Sequence, residues 1–361
     1  MIQDDKGVKM ETMQALVLAE VGRVALVEKA IPEPGPNDAV VRATAAMVCT
    51  SDVHTVGGAL PVPNGRTLGH ESVGVVHSIG SAVEGFRVGD RVAVGAITPC
   101  FECHACQSGH SSHCGGMLGG YKATGARDGN LAEYFFVNNA RGNLTLIPDD
   151  VTDAQAVYVP DMLTTGLMGA ENCELRLGDT VAIFGQGPVG LSATIGARLL
   201  GAGRIVVVES VPARQELARK FGADDVVDYT KGDTVEQILE LTHGEGVDAS
   251  IEALGSTKTF DAAFRVLNPR GRLSNVGYHE SKDALPIDID AFGLGHGDQK
   301  IRGGLCPGGS ERLGRILRLI ARGRIDPSPM TTHTFKFGDV EKAFELMRTK
   351  EEGIIKALIT F

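Results

Sequence analysis

The chain has 361 residues, 43% hydrophobic and 22% charged, which is too long for one ordinary core at ~150 residues per domain and too apolar for a disordered chain. A formal charge of −10 argues against a nucleic-acid partner, and no apolar run reaches the ~18 residues of a membrane span. Seven cysteines, four of them crowded into one stretch, suit metal ligation in a reducing cytoplasm better than a disulfide framework.

Residues 1–13, "MIQDDKGVKMETM", lack the apolar core of a signal peptide and read as a flexible extension, with Met10 and Met13 as alternative starts. From residue 14 to about 150, short β-type runs such as "QALVLAE", "DAVVRATAAMV" and "SVGVVHSIG" are cut by Gly and Pro. They predict a compact, barrel-like β domain with functional loops. Within this region and just after it stand Cys49 in "VCTSDVH", His70 in "LGHESVG" and Asp161 in "VPDMLTTG". A thiolate, an imidazole and a carboxylate would give a catalytic zinc three ligands and one open position. Spacing alone does not join them, since a lone residue of each type is more often structural.

The segment "CFECHACQSGHSSHC" speaks more loudly. Cys100, Cys103, Cys106 and Cys114 offer four thiolates, a closed tetrahedral set with no position for substrate, which predicts a structural zinc. His104, His110 and His113 are then solvated bystanders.

After about residue 165 helical periods alternate with fully apolar strands, as in "TVAIFGQG", "RIVVVES" and "VDASIEALG". That alternation predicts βαβ units and a doubly wound parallel sheet of the Rossmann type. The first strand runs into Gly185-Gln-Gly187-Pro188-Val189-Gly190 and a helix of small residues. An acidic residue, Glu209, follows about 20 positions on, which completes a dinucleotide fingerprint. Gly185 permits the turn, Gly187 lets backbone approach a pyrophosphate, and Gly190 allows close packing. Glu209 would accept hydrogen bonds from a ribose and repel a 2′-phosphate, favouring NAD over NADP. Arg214, on the next helical stretch, joins the cofactor-binding set. The tail from residue 306 is too short for a domain and is predicted to return to the first one. The expected division is therefore 14–164 with 306–361 as a catalytic domain, and 165–305 as an inserted nucleotide domain.

"GHESVGVVHSIGSAV" matches G-H-E-x2-G-x5-G-x2-V, a signature of the zinc-dependent medium-chain alcohol dehydrogenases, which the chain resembles from Gln14 to Phe361. "CTSDVH", the four-cysteine loop and "GQGPVG" follow in that family's order. "GGMLGGYKATGARDGNLAEYF", "PDMLTTG" and "GGLCPGGSERL" resemble its bacterial secondary-alcohol branch.

The resemblance implies an α/β protein with a GroES-like catalytic domain and a Rossmann domain. It implies two zincs per chain, a catalytic one on Cys49, His70 and Asp161 and a structural one on the four cysteines. NAD would be the second cofactor, and hydride would pass between a small secondary alcohol, or its ketone, and the nicotinamide. Ser51 would hydrogen-bond the substrate oxygen, and Thr165 would sit against the nicotinamide. His54 has two readings, a proton relay and a ribose contact. Glu71 also has two, a transient fourth ligand and an orienting partner of His70. Many relatives use a cysteine where Asp161 stands. Cys173 lies twelve residues later, but "ENCELRLGD" reads as a surface connection. A homo-oligomer, tetramer or dimer, in the cytoplasm is expected.

Two features depart from the closest branch, whose best-known members prefer NADP and in part lack the four-cysteine lobe. Here Glu209 replaces a small residue, and all four cysteines are kept. Primary, aromatic and polyol substrates form the alternative within the family. A non-enzymatic zinc-binding interaction module is the remote one, opposed by the acidic charge and the complete fingerprint.

Overall fold

The structure, a computed structural model, describes residues 2–3, 9–117, 119–280, 284–285 and 287–361, with 2, 3, 9 and 10 given by their backbone alone. Of the extension expected over 1–13, residues 1 and 4–8 lie outside the described residues. Ile2–Gln3 pairs antiparallel with Lys9–Met10, and Thr12 already opens the strand Thr12–Glu20. The chain divides into two compact units, 1–164 with 306–361 and 165–305.

The first unit is built on a seven-stranded sheet. Its order is Thr331–Lys336, Lys356–Thr360, Ala39–Met47, Glu71–Ile79, Arg91–Val94 and Leu144–Leu146, with Tyr134–Val137 also pairing with Ala39–Met47. The barrel-like expectation is met only in part. The Thr12–Glu20 and Arg23–Ala30 hairpin forms its own two-stranded sheet and meets the larger one through isolated bridges, Ala15 with Ala132 and Val17 with Thr67.

The tail belongs here because its apolar face has no other core to enter. On the helix Val340–Thr349, Val340, Ala343, Phe344 and Met347 recur at spacings of three and four and are buried. They pack with Leu16, Leu18, Val48, Val56, Leu68, Ile354 and Ile359. One core therefore contains residues from both ends of the chain.

The second unit is a six-stranded, wholly parallel sheet. Its order is Asp225–Val227, Arg204–Val208, Thr180–Phe184, Val247–Glu252, Leu267–Asn275 and Lys300–Gly303. The central strands bury both faces, which explains why they read as continuous apolar runs rather than as alternation. Strand order reverses beside Thr180–Phe184, the topological switch point where such sheets bind nucleotides. Among the described residues no helix is long and apolar enough to cross a membrane.

Phe344→Ala should lower the stability of the first unit by about 3–5 kcal/mol, because a large buried ring is lost from the core that ties the tail down. Denaturant unfolding of the variant against the parent measures it.

Candidate active site and metal centres

Strand register brings the first cluster together. Met47 lies opposite Glu71 on one side and opposite Leu358 on the other. Cys49, just past the end of its strand, thereby comes beside His70, just before the start of the next. Cys49 caps the helix Thr50–Val56, where its backbone N–H donates to Asp52 Oδ2 at 3.0 Å. Asp52 Oδ1 in turn accepts from Gly69 N at 3.1 Å, so one carboxylate joins the two segments that carry the cysteine and the histidine.

Asp161 arrives from elsewhere in the chain, on a single π-turn over Val159–Leu163 closed by Leu163 N donating to Tyr158 O at 3.0 Å. Such π-turns concentrate at functional sites because they re-aim one side chain. Arg312 holds its end, donating to Thr164 Oγ1 and Thr164 O, each at 3.0 Å.

The result is a compact ligand set. Cys49 Sγ is 3.7 Å and His70 Nε2 3.2 Å from Asp161 Oδ2. One ligand atom from each of Cys49, His70, Glu71 and Asp161 lies within 4.8 Å of the others. Ser51 Oγ is 3.5 Å from His70 Nε2. His54 follows three residues along the same helix, half-buried and outside the ligand set.

The charges around this set favour a cation. Burial, then the Glu71 carboxylate, push the Cys49 thiol up, and burial pushes Glu71 up as well. Lys356 supplies a compensating charge, its Nζ donating to Val48 O at 2.9 Å and to Glu71 Oε2. Glu71 Oε1 is buried without a hydrogen-bond partner among the described residues. A thiol, two carboxylates and an imidazole around one ammonium, with an orphaned carboxylate oxygen, are the donor set a divalent zinc fits.

The second cluster is local. Cys103 Sγ lies 3.5 Å and Cys100 Sγ 4.0 Å from Cys106 Sγ. A tetrahedral zinc with bonds of ~2.3 Å sets its sulfurs about 3.8 Å apart, so these distances fit. Backbone N–H groups point at the sulfurs, Cys103 N to Cys100 Sγ and Cys100 N to Cys114 Sγ, each at 3.3 Å. N–H groups of Cys106 and Gly115 hold the Cys103 thiol down to about 6, whereas burial and the neighbouring Cys103 push Cys106 up to about 12. Four thiols cannot all ionise against one another; a dication lets them. His104 and His110 are exposed and His113 is half-buried; none belongs to the ligand group.

In the second unit the glycine loop has the geometry a pyrophosphate needs. Gly185 has φ +85°, a left-handed turn, and a Cβ on Gly190 would lie 1.9 Å from Gly185 O. A Cβ on Gly187 would meet nothing within 4 Å, leaving its backbone open to approach. Pro188 and Val189 then open the twelve-residue helix Pro188–Leu199, whose N-terminal N–H groups favour anions. Glu209, at the end of Arg204–Val208, is more engaged than a free strand end would be. Oε1 accepts from Ser210 N (2.8 Å) and Val211 N (3.0 Å), and Oε2 accepts from Gln186 N (3.2 Å). Arg214 Nη1 stands 3.8 Å from Oε2. Those bonds fix the carboxylate at the loop and leave Oε2 capacity for a further donor. Thr165 opens the second unit on the helix Thr164–Asn172.

Cys173 lies in the surface connection expected of its segment, with Glu171, Glu174, Arg176 and Leu177 exposed around it, but its own side chain is buried in the second unit, the thiol donating to Ser250 O at 3.5 Å. Three residues around the ligand set escape sequence reasoning: Lys356, Tyr121, whose Oη is 2.8 Å from His70 Nδ1, and Cys306, whose Sγ is 3.8 Å from Asp161 Oδ1. A lysine alone in the apolar run "IIKALITF" is the one clear signal among them.

Residues 35–149 match the alcohol dehydrogenase GroES-like domain and residues 188–322 the zinc-binding dehydrogenase family. An alcohol dehydrogenase of Cupriavidus necator is 46% identical, over 96% of this chain and 98% of its own. An NADP-dependent isopropanol dehydrogenase of Thermoanaerobacter brockii is 44% identical, over 96% and 99%. Among solved structures, an alcohol dehydrogenase from Thermus sp. ATN1 superposes with a TM-score of 0.86 at 30% identity, over 96% of this chain and 99% of that one.

Lys356→Met should cost about 3–5 kcal/mol by leaving Glu71 buried and uncompensated, and adding Glu71→Gln should recover much of that loss. Thermal and urea unfolding of the single and double variants provide the measurement.

Proposed function

The chain belongs to the zinc-dependent medium-chain alcohol dehydrogenases, in their secondary-alcohol branch, and we propose that it interconverts small secondary alcohols and ketones with NAD as the hydride carrier. The observation that carries this reading is the convergence of Cys49, His70, Glu71 and Asp161 on one point, with a buried carboxylate oxygen left unpartnered. Cys49, His70 and Asp161 would hold the catalytic zinc. Zinc bound there supplies positive charge that polarises a substrate oxygen.

The remaining roles fall to the chain's own groups. Ser51, beside His70 Nε2, is the hydroxyl that hydrogen-bonds the substrate oxygen and takes its proton, and His54, three residues further on, passes it outward or meets the ribose. Glu71 keeps one oxygen on Lys356 and the other available to the fourth ligand position. The cysteines 100, 103, 106 and 114 would hold a second, structural zinc. Thr165 would contact the nicotinamide. Gly185, Gly187, Pro188, Val189 and Gly190 would take the pyrophosphate, with Glu209 and Arg214 at the ribose.

The preference for NAD rests on Glu209, a buried carboxylate fixed at the loop, which a 2′-phosphate would meet at close range. Relatives of this branch are named NADP-dependent, so the reading of NAD rests on Glu209 against that likeness. We read the protein as a cytoplasmic homo-oligomer, because crowded thiols need a reducing compartment. The outer strand Lys300–Gly303 also offers an open edge with Ile301 exposed.

Zinc content of about two per chain is expected. Cys103→Ser should lose one zinc and lower the melting temperature while kcat per folded molecule holds. Asp161→Asn should lose the other zinc together with activity, whereas Cys173→Ser should lose neither; the opposite pattern for Asp161 and Cys173 would reverse the ligand assignment. With 2-propanol, kcat/KM should favour NAD over NADP by about tenfold or more, since like-charge contacts cost several kcal/mol. Glu209→Gly should narrow that ratio. A parent enzyme faster with NADP, or with ethanol, a polyol or benzyl alcohol than with 2-propanol, would refute the respective half of the reading.

A further inference from the structure

The residue between the first two glycines of the nucleotide loop, Gln186, has no part in the roles assigned above. Its side chain is wholly buried, whereas glutamines are mostly exposed. Nε2 donates to Gly185 O at 3.1 Å, and Oε1 accepts from Thr194 Oγ1 at 3.0 Å. Thr194, equally buried, stands in the second turn of the helix Pro188–Leu199. The amide thus links the loop to the body of the helix that follows it.

These bonds bear on one peptide unit. Its carbonyl is Gly185 O, held by the Gln186 side chain, and its N–H is Gln186 N, which donates to Glu209 Oε2 at 3.2 Å. The unit follows Gly185 at φ +85°, and a residue without Cβ lets the peptide plane beyond it rotate at little steric cost. Rotation by half a turn would take the N–H off the carboxylate and bring the carbonyl oxygen there instead, two acceptors face to face. The other N–H groups that hold Glu209, those of Ser210 and Val211, both fall on Oε1. Arg214 Nη1, at 3.8 Å, is beyond hydrogen-bond range of Oε2. The placing of Oε2 therefore depends on which way this peptide faces.

We propose that Gln186 is a positioning residue for coenzyme choice: latched by Thr194, its side chain fixes the Gly185–Gln186 peptide so that the N–H holds Glu209 Oε2 at the loop. The proposal rests on the reading of Glu209 as the residue that favours NAD, and the test separates the two. Zinc-loaded parent, Gln186→Met, Thr194→Val, the double variant and Glu209→Gly are titrated with NADH and NADPH, and dissociation constants are read from nicotinamide fluorescence. Gln186→Met keeps the volume and removes both amide contacts. It should weaken NADH about tenfold, the scale of one lost hydrogen bond to a charged group, and leave NADPH where it stands in the parent. Thr194→Val should move the same ratio in the same direction. The double variant should be no worse than Gln186→Met, because a single latch is broken only once.

An unchanged NADH constant in Gln186→Met would overturn the proposal. Equal weakening of NADH and NADPH would also overturn it, since that marks a loosened glycine loop rather than a displaced carboxylate. Effects of the two single variants that simply add would do the same. A Glu209→Gly protein with the parent's NADH to NADPH ratio would instead overturn the reading of Glu209 beneath it. Should Gln186→Met not fold, Thr194→Val, isosteric and outside the loop, carries the same comparison.

Discussion

A single buried ammonium governs the geometry of the first unit. Lys356 comes from the C-terminal strand, and its Nζ reaches both the Val48 carbonyl and the Glu71 carboxylate. An unpaired charge in that interior would cost several kcal/mol, so the three strands must keep the register that pairs it. A slip of one residue would turn Lys356 to the opposite face of the sheet and break both contacts. That register sets Cys49 one residue beyond Val48 and His70 one residue before Glu71. The ligand set follows from where a charge can be buried.

The same electrostatic logic distinguishes the two donor clusters. Around Cys49 the donors are mixed, one carboxylate is shared with Lys356, and Glu71 Oε1 stays unpartnered. Such a set tolerates exchange at one position. Around Cys100 all four donors are sulfur, at spacings a tetrahedral zinc would accept, and two backbone N–H groups point at the sulfurs. A closed set stabilises a loop and leaves nothing for chemistry. In the second unit, backbone N–H groups hold the Glu209 carboxylate beside the glycine loop, a local arrangement that needs no metal.

Legibility in the sequence follows contact order. The four cysteines lie within fifteen residues, and the glycine fingerprint is contiguous, so both declare themselves in one dimension. The parallel sheet is readable from its central strands, Thr180–Phe184 and Arg204–Val208, which are buried apolar runs, whereas Leu267–Asn275 and Lys300–Gly303 carry polar, partly exposed residues. Cys49 and Asp161 are 112 residues apart, and nothing in the spacing joins them; resemblance did that work. Tyr121 was invisible for a different reason. A tyrosine in a glycine-rich loop carries no periodic signal, and only the folded loop shows that its hydroxyl ends on His70 Nδ1. Cys173 sits in a mostly exposed connection, as the polar stretch around it suggests, while its thiol alone turns into the interior.

The sequence by itself determined the two-unit α/β architecture, the closed four-thiolate set and the dinucleotide loop with its acidic partner. Each of these is encoded by residues near one another in the chain, where pattern and spacing are sufficient. Tertiary structure alone decided which scattered donors converge, that Glu71 divides its oxygens between Lys356 and an unpartnered position, and that Tyr121 and Asp52 both come beside His70 Nδ1. Those outcomes depend on strand register and on competition for buried hydrogen bonds, and both are settled only when distant segments pack and exclude water.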